Sequence, residues 1–447
     1  MQKSNSNGLL AMENNSIRDY MKIELKDSDI FYKETGSYTI PPHATIEMAK
    51  QVLQKIGVAK VELIDTKFTD GVPIFRINEA SIKPICHRQA CRWALPPTPL
   101  DNPPKECFGK GMTMQQSKAS ALMEAIERYC AQQFPFSSTV KASYEEVRND
   151  AISPSEFNFP SLPLKCQKCQ EKLNGCFQEL GRVCEEWTWG YSLIENKPIL
   201  IPSALVYYPY ISKNKESFML NDTGGLSAGN TIEEAILQGI AEVVERDALY
   251  HVFNLNNLKS MRIVNLRDIK NLHIEKFVTE IIPPEKIFSF QIWNQNLELH
   301  IPTFVAFICY QKGNKHIYFG GSGTNLDQEV GLLRALTELE QQKVRQKAFV
   351  EFDRDDLVCH DNFRTEDKRV FEKPILRSTG NVKKDIQIYL DHISRINSNA
   401  IVVNLTHPDI GIPVVRVIIP KLISYSGSPI KESVFLQAMR VDETNPV

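Results

Sequence analysis

Residues 111–128 read GMTMQQSKASALMEAIER, and residues 229–246 read GNTIEEAILQGIAEVVER. A shift of 118 positions superposes the two segments. Three charged pairs then coincide: Glu124 with Glu242, Glu127 with Glu245 and Arg128 with Arg246. Because an α-helix turns by about 100° per residue, each segment gathers these charges on one face and its apolar side chains on the other. The sequence therefore predicts two equivalent helices with the same acidic face.

A third segment, residues 326–342, carries a related polar stripe. Three positions on this stripe match three positions of the first segment: Arg334 matches Ser120, Glu338 matches Glu124, and Gln341 matches Glu127. Any one of these helices alone is typical of a solvated surface helix, since Glu and Arg are good helix formers and support each other weakly across a turn. The threefold occurrence favours a site at which the helices converge.

Five glutamates would come together at such a site: Glu124, Glu127, Glu234, Glu242 and Glu245. Clustered carboxylates repel one another unless cations join them, and Arg128, Arg246 and Arg334 offset only part of this charge. Hard cations such as Mg²⁺ prefer carboxylate and phosphate oxygens. The pattern predicts a magnesium–nucleotide site with these five glutamates as metal ligands.

The start of each helix carries a residue that is typical of an N-cap: Thr113, Thr231 and Asp327. Gln116 and Glu234 follow the two threonines at the spacing of a capping box. Two interpretations of Glu234 therefore stay open, a helix cap and a site residue.

A glycine-rich loop, residues 224–230, leads into the second helix and contains Ser227 and Asn230. Backbone N–H groups and the positive end of a helix suit a phosphate group, although a simple turn is the alternative. Lys110 lies at the equivalent place in the first segment, within reach of such a phosphate. No GxxxxGK[ST] motif occurs, so the predicted nucleotide site has no P-loop.

Composition restricts the class of protein. The 447 residues are 42% hydrophobic and 24% charged, values typical of a soluble globular protein with a sizeable core. The net charge of −2 provides no general field for nucleic acid. No apolar run reaches the roughly 18 residues of a membrane span. Ten cysteines without a secretion signal predict reduced thiols, and together these features predict a cytoplasmic enzyme without nucleic-acid or membrane partners.

Along the chain, residues 1–37 are polar and predict a loosely ordered N-terminal extension. Residues 38–447 alternate strand pairs with helices, which predicts one α/β (α+β) domain of repeated strand–helix units with helices on one face of each sheet. Helices are predicted at residues 111–133, 231–253, 326–342 and 384–397. Insertions are predicted near residues 84–107 and 150–185.

Four cysteines lie in the second insertion: Cys166, Cys169, Cys176 and Cys184. Four thiolates can hold a structural Zn²⁺. Their C-x2-C-x6-C-x7-C spacing matches no standard zinc module, and unlinked reduced cysteines are common in cytoplasmic chains. A tetrathiolate zinc site and four reduced thiols therefore both stay open.

These segments resemble the three ATP and Mg²⁺ motifs of the YcaO family, whose members use ATP to activate backbone amides of peptides. The motifs read Ser120-x-x-x-Glu124-x-x-Glu127-Arg128, then Ser227-x-x-Asn230-x-x-x-Glu234 with Glu242-x-x-Glu245-Arg246, and finally Arg334-x-x-x-Glu338-x-x-Gln341. The resemblance extends from about residue 39 to near residue 420. It implies a YcaO-like ATP-binding fold in which these residues, together with Lys110, contact ATP and Mg²⁺.

Among the motif residues, we expect Glu127, Glu245 and Arg334 to be catalytic. Both glutamates lie opposite the apolar face of their helix, so their truncation is expected to leave the fold intact.

The resemblance implies O-phosphorylation of a backbone amide of a peptide or protein after a nucleophile attacks the carbonyl carbon. A neighbouring Cys, Ser or Thr side chain then gives an azoline ring, whereas sulfide, often with a TfuA-type partner, gives a thioamide. Azoline-forming members typically end in Pro-x-Pro-x-Pro, but residues 442–447 hold a single proline, which favours thioamidation. No leader-binding domain is fused to the chain, so a separate partner protein is expected.

Two other functions stay open. One is a non-catalytic accessory protein that keeps the ATP fold and supports a partner modifying enzyme. The other is a carboxylate–amine ligase that uses the same nucleotide site. The sequence also leaves a homodimer open.

Overall fold

The computed structural model describes residues 22–423 with internal gaps. The gaps are residues 32–35, 54, 56–61, 64–74, 79–105, 135–136, 138, 159–185, 209, 211–221, 255–260, 265–270, 278–286, 296–298, 313–314, 345–349 and 354–375. The four cysteines of the predicted zinc site, most of both predicted insertions and residues 442–447 lie outside the described residues.

Seven α-helices lie in the described part of the chain. They are α1 (Pro42–Leu53), α2 (Met114–Cys130), α3 (Tyr144–Val147), α4 (Ile232–Asn254), α5 (Leu272–Lys276), α6 (Gln328–Val344) and α7 (Val382–Arg395). Helices α2, α4 and α6 are the three helices with the matching polar stripes, and α7 is the predicted C-terminal helix. All four predicted helices are confirmed.

The strands of the described part are β1 (Glu62–Leu63), β2 (Phe75–Asn78), β3 (Glu106–Gly109), β4 (Thr139–Lys141), β5 (Glu186–Ser192), β6 (Lys197–Pro202), β7 (Leu226–Ala228), β8 (Met261–Ile263), β9 (Ile287–Gln295), β10 (Thr303–Lys312), β11 (Lys315–Thr324), β12 (Val350–Asp353), β13 (Ile401–Asn404) and β14 (Val414–Ile418). They form three sheets: a three-stranded sheet β1-β2-β3, a five-stranded sheet β12-β11-β10-β9-β8, and a six-stranded sheet β4-β5-β13-β14-β7 in which β6 also pairs with β5. Neighbouring strands pair antiparallel, as in the long β10–β11 hairpin.

Each of the three acidic helices follows a strand, which confirms the predicted repeat of strand–helix units. The first unit is β3–α2, the second is β7–α4 and the third is β11–α6. Helix and strand approach closely enough to exclude side chains: a Cβ added to Gly109 would lie 1.9 Å from the carbonyl oxygen of Ser117 on α2. One added to Gly323 would lie 2.1 Å from the carbonyl oxygen of Gly331 on α6. Glycine on the strand therefore sets the position of each of these two helices.

The six-stranded sheet carries a core on both faces. Ile401, Val403 and Val414 pack with α1 and α2. Val402 and Val415 lie on the opposite face and pack with α4 and α7. The prediction that helices cover one face is therefore wrong for this sheet, because all five residues of β14 are buried and alternate residues of its strands serve two different cores.

Part of the predicted N-terminal extension is packed against the domain. The backbone N–H of Ile30 donates to the carbonyl oxygen of Gly380 at 2.7 Å, and Asp29 forms a β-bridge with Asn381. The N–H of Lys26 donates to the carboxylate of Glu233 in the first turn of α4 at 2.8 Å. Ile30 is buried in the core that α4 and α7 share. This polar segment is therefore held by backbone hydrogen bonds rather than by a long apolar run.

The contact between β11 and α6 is testable through Gly323→Ala. The new methyl group would meet helix backbone and force α6 away from the strand, so we expect the free energy of unfolding to fall by about 1–3 kcal/mol. Gly331→Ala is the matched control in the same contact, since its nearest neighbour is a Phe304 ring carbon at 3.2 Å. Chemical denaturation measures both. Equal stability of the two variants would contradict the close-approach explanation.

Candidate active site

The first strand–helix unit fixes its acidic residue through the strand that precedes it. Thr113 caps α2 and accepts a hydrogen bond from the N–H of Gln116 at 3.2 Å, while the Gln116 side chain accepts from the N–H of Met112 at 2.9 Å. Further along α2, Glu124 accepts from the N–H of Phe108 on β3 at 2.9 Å. Arg128 donates to the other oxygen of Glu124 at 3.1 Å. Local capping and a strand contact thus orient the first motif.

The second unit repeats this arrangement. Glu234 donates its N–H to Thr231 at 3.2 Å and accepts from the N–H of Asn230 at 2.8 Å. Glu242 accepts from the N–H of Gly225 at 3.2 Å and pairs with Arg246 at 3.5 Å. The predicted cap at the start of α4 is confirmed, and the carboxylate of Glu234 is part of that cap. Its role toward a ligand stays a prediction.

Glu127 and Glu242 are half-buried, and each lies beside one arginine: Glu127 is 3.6 Å from Arg128, and Glu242 is 3.5 Å from Arg246. Burial raises the pKa of Glu127 well above its ordinary value; the nearby Arg128 lowers it, and the carboxylates of Glu242 and Glu124 raise it further. Burial also raises the pKa of Glu242, against the effect of Arg246. Two half-buried carboxyl groups with raised pKa values are groups whose charged form an added cation would stabilise.

The third unit is joined to the first by side chains of α6. Lys110, just after β3, forms an ion pair with Glu338. Although burial opposes ionisation, Lys110 and Arg246 hold the pKa of Glu338 below its ordinary value. Gln341 donates to the carbonyl oxygen of Phe108 on β3 at 2.5 Å. The predicted convergence of first and third motifs is therefore a set of direct contacts.

The third unit also contacts the second. Arg334 donates to the side-chain oxygen of Gln238 on α4 at 2.8 Å. Glu245 of α4 accepts from the Ser322 hydroxyl at 2.7 Å and from the N–H of Thr324 at 3.1 Å, both on β11. Glu245 is only 4% exposed. The expectation that Glu245 can be truncated without affecting the fold is not supported, because its carboxylate holds α4 against the five-stranded sheet.

Four backbone N–H groups of the glycine-rich loop before α4 already form hydrogen bonds within the protein. Those of Gly224 and Gly225 donate to Asp222 and Glu242, and those of Gly229 and Asn230 donate to Pro413 and Glu234. Internal hydrogen bonds therefore already use these four N–H groups, and binding of a phosphate at the positive end of α4 stays a prediction. The side chains of the loop differ: the Ser227 hydroxyl is buried without a hydrogen-bond partner, whereas Asn230 bonds to Thr45 and Glu234. Ser120 is half-buried on α2.

Buried side-chain atoms without a hydrogen-bond partner gather at this site within the described part of the chain. They include Thr39 Oγ1, Ser227 Oγ, Arg246 Nε, Arg334 Nε and Arg416 Nε. Most buried polar groups in proteins are hydrogen-bonded, so such a concentration indicates a place where a polar ligand completes the bonding. The donors belong to arginines and hydroxyls, which suit phosphate oxygens.

The five predicted metal ligands do not form one metal cage. In the described residues, no group of three or more His, Cys, Asp or Glu side chains is placed to hold a metal ion by itself. Mg²⁺ usually combines one or two carboxylates with water and substrate phosphates, and demands no complete protein cage. Glu127 and Glu242 fit such a shared site, since both are half-buried, interact electrostatically and have pKa values that stay raised beside Arg128 and Arg246. The donor set therefore fits a nucleotide with its magnesium.

Three residues near the site, Tyr38, Thr39 and Arg416, lie outside the three sequence motifs. Tyr38 lies near Gln116, Glu234 and Arg334, and the N–H of Thr39 donates to Glu234. Arg416 on β14 lies close to Glu127 and Glu242. Tyr38 and Thr39 are far from the motifs in sequence, so nothing local indicates them. Arg416 does have a signal, since it is a single charge inside an apolar strand.

Comparison with known proteins assigns the class. The model of the YcaO cyclodehydratase family, described as ATP- and Mg²⁺-binding, matches residues 108–423. This match covers well over half of the chain, and the chain therefore belongs to the YcaO family. The resemblance seen in the three motifs is confirmed.

Two relatives match nearly the whole chain. An uncharacterized protein of Methanothermobacter thermautotrophicus is 27% identical over 415 residues, which cover 87% of this chain and 96% of that protein. An uncharacterized protein in the tfuA 3′ region of Rhizobium leguminosarum bv. trifolii is 23% identical over 437 residues, covering 91% of this chain and 94% of that protein.

Solved structures share the fold. A heterocyclase in complex with substrate and cofactor aligns with a TM-score of 0.73 and 23% identity over 91% of this chain, which spans 56% of the heterocyclase chain. YcaO from Methanopyrus kandleri, bound with AMPPCP and Mg²⁺, aligns with a TM-score of 0.59 and 19% identity, covering 92% of this chain and 97% of that one. These alignments confirm the predicted YcaO-like α/β fold. None of the described helices has the length and apolar character needed to cross a membrane.

The raised pKa of Glu127 predicts how the nucleotide-free protein responds to pH. A folded pKa above the unfolded value means that the neutral carboxyl contributes stability below the unfolded pKa, and this contribution is lost as pH rises through the folded pKa. Glu127→Gln stays neutral, so its melting temperature should exceed that of the wild type by a margin that grows above the ordinary glutamate range. The groups that face Glu127 are Arg128, Glu242, Glu124 and Arg416. A series of thermal melts against pH measures the margin.

Glu145→Gln is the control for losing one carboxylate, since Glu145 is an exposed residue of α3. A margin for Glu127→Gln that does not change with pH would contradict a strained buried carboxyl at this position.

The contacts of Glu245 predict a structural effect of its removal. Glu245→Ala leaves the N–H of Thr324 and the Ser322 hydroxyl unpaired in the interior, which should lower the free energy of unfolding by about 2–4 kcal/mol. Glu245→Gln keeps one acceptor oxygen and should lose less, and Ser322→Ala removes one of the two hydrogen bonds alone. Urea denaturation ranks the three variants. If Glu245→Ala were as stable as the wild type, Glu245 would have no role in joining α4 to β11.

Proposed function

We propose that the protein activates a backbone amide of a peptide or protein by ATP- and Mg²⁺-dependent O-phosphorylation. The observation that carries this proposal is the set of buried arginine and hydroxyl atoms without hydrogen-bond partners beside two half-buried carboxyl groups with raised pKa values. Such a set is complementary to a polyphosphate and a hard divalent cation together. Membership of an ATP- and Mg²⁺-binding family supports the same ligand.

In this proposal the acidic side chains bind the metal ion and the basic side chains bind the phosphates. Glu127 and Glu242, with Glu124 beside them, would hold Mg²⁺. Arg334 and Arg246, each with a buried Nε that lacks a partner, would donate to phosphate oxygens, and Ser227 would add a hydroxyl. Phosphoryl transfer depends mainly on positioning and on cations that stabilise the developing charge, which is what these side chains provide. Glu245 would act by keeping α4 and β11 in register.

The remaining motif residues complete the proposed nucleotide site. Lys110 and Glu338 form a fixed ion pair between the first and third units, and Gln341 joins α6 to β3. Arg128 neutralises Glu124. Glu234 and Asn230 would orient the start of α4, and Ser120 lies on the same face of α2 as Glu124 and Glu127.

In the proposed reaction, ATP is the phosphoryl donor and the oxygen of the substrate amide is the acceptor. Bound Mg²⁺·ATP supplies the γ-phosphoryl group and neutralises charge at the phosphates. A nucleophile adds to the carbonyl carbon of the substrate amide, and the resulting oxyanion takes the phosphoryl group, which releases ADP. The C–O bond then breaks and phosphate leaves. A proton is lost to solvent from the added sulfur or from the amide nitrogen, so the carbon forms the C=S bond of a thioamide or the C=N bond of an azoline.

Sulfide is the nucleophile that we favour, with a thioamide as product and a TfuA-type protein as partner. This choice is supported by the relative that lies in a tfuA 3′ region. A neighbouring Cys, Ser or Thr side chain of the peptide would give an azoline instead, with a separate leader-binding partner.

The proposal predicts peptide-dependent ATP turnover. Purified protein is incubated with Mg²⁺·ATP, candidate peptides, sulfide and a TfuA-type partner, and both phosphate release and peptide mass are measured. Exchange of oxygen for sulfur indicates a thioamide, and loss of water indicates an azoline. Glu127→Gln should lower turnover by about 100-fold or more, because it removes a charge needed in the transition state.

Glu145→Gln should retain wild-type turnover. Binding of Mg²⁺·ATP without modification of any peptide would indicate the accessory role, and joining of a free carboxylate to an amine would indicate a ligase. Failure to bind Mg²⁺·ATP would refute the proposal as a whole.

A further inference from the structure

Arg416 is a charged residue in the middle of a buried apolar strand. Strand β14 reads VVRVI, and all five of its residues are buried, with Arg416 only 3% exposed. Because side chains alternate along a strand, Arg416 points to the same face as Val414 and Ile418. Val414 and Ile418 belong to the core that contains α2, so the guanidinium of Arg416 lies on the α2 side of the sheet.

The guanidinium of Arg416 is poorly paired for a group so deeply buried. One nitrogen donates to the carbonyl oxygen of Asp222 at 2.8 Å, while Nε has no hydrogen-bond partner. In the described part of the chain, no carboxylate lies within ion-pair distance of it. Burial lowers the pKa of Arg416, which the carboxylates of Asp222, Glu242 and Glu127 partly oppose. A buried guanidinium without a direct ion pair is expensive, and it indicates a missing anionic partner.

The neighbours of Arg416 indicate what that partner is. Val417, the next residue of β14, donates its N–H to the carbonyl oxygen of Gly225 at 2.8 Å, and the N–H of Gly225 donates to Glu242, so β14 places Arg416 near Glu242. Glu127 and Glu242 are already paired with Arg128 and Arg246. Arg128 lies on the same side and repels it. A group that presents negative oxygens to the arginines and shares a cation with the carboxylates would satisfy both sets at once. A phosphate does this, and the planar fork of arginine matches phosphate oxygens.

We propose that Arg416, a residue outside the three sequence motifs, contacts a phosphate group of the nucleotide from the sheet side of the site. This inference rests on the proposed function, because it assigns a residue to the same nucleotide. Helices α2, α4 and α6 provide the carboxylates and the other arginines, and β14 provides a cation whose position is held by the carbonyl of Asp222. The rigid strand presents that cation without the loss of side-chain freedom that a surface arginine would suffer.

The test compares Arg416→Gln, Arg416→Lys and wild-type protein by calorimetry with Mg²⁺·ATP and by thermal unfolding without nucleotide. A glutamine amide can still donate to the Asp222 carbonyl but carries no charge. The affinity of Arg416→Gln for Mg²⁺·ATP should fall by about tenfold or more, since a charge-assisted hydrogen bond is lost. Arg416→Lys keeps the charge without the planar fork and should fall in between. Arg395→Gln removes an exposed arginine of α7 and should bind as the wild type does.

The outcomes separate this inference from the proposed function. If the wild type binds Mg²⁺·ATP and folded Arg416→Gln binds it with the same affinity, the proposed phosphate contact is overturned. Arg416 would then have only a structural role, and its loss would lower the melting temperature without changing the affinity. If Arg416→Gln does not fold, Arg416→Lys decides: wild-type affinity in that variant overturns the proposal, and a severalfold loss supports it. Absence of Mg²⁺·ATP binding by the wild type refutes the proposed function and this inference with it.

Discussion

The placement of two half-buried carboxyl groups, Glu127 and Glu242, within electrostatic reach of each other is the constraint on which the rest of the site depends. Desolvation raises the pKa of both groups; the carboxylate of Glu242 raises that of Glu127 further, and the carboxylate of Glu245 raises that of Glu242 further. The protein surrounds them with Arg128, Arg246 and Arg416 and still leaves their pKa values raised. A stable charged state therefore needs a further cation, and that cation needs anionic oxygens to balance the arginines. The electrostatics of the nucleotide-free site are complementary to a metal–polyphosphate pair.

Holding such a site together requires contacts between units that are far apart in sequence. Each link uses a polar group of one strand–helix unit and a partner in another: Lys110 with Glu338, Gln341 with Phe108, Arg334 with Gln238, and Glu245 with Ser322 and Thr324. These links join the helices of three sheets around one point. Several residues that resemble ligands in the sequence spend part or all of their bonding capacity on this internal framework. Glu234 caps its helix, and Glu245 fastens α4 to β11.

Close packing of backbone supports the same arrangement. Gly109 and Gly323 allow α2 and α6 to lie directly on the strands that precede them. Helix and strand in such contact leave little freedom for the intervening turn, so the first residues of each helix are positioned accurately. The segment from Gly36 to Thr39 then crosses the start of α4, where Thr39 donates to Glu234 and Ser37 accepts from Asn325. Residues ahead of the repeated units thereby become part of the site.

The amino-acid sequence alone determined the three amphipathic helices, their order, their caps and the matching polar stripes of Glu124, Glu127, Glu242 and Glu338, because helical periodicity is a local property. It also indicated a nucleotide site without a P-loop. Only the tertiary structure decided which groups meet. Local patterns could not show that the N–H of Gly229 is already used by the carbonyl oxygen of Pro413, nor that Glu245 faces β11, since both contacts are made with segments distant in sequence. Arg416 is the clearest case: its sequence neighbours mark it as buried, but its proximity to Glu127 and Glu242 arises from the packing of β14 between the first and second units, a long-range contact that no local pattern encodes.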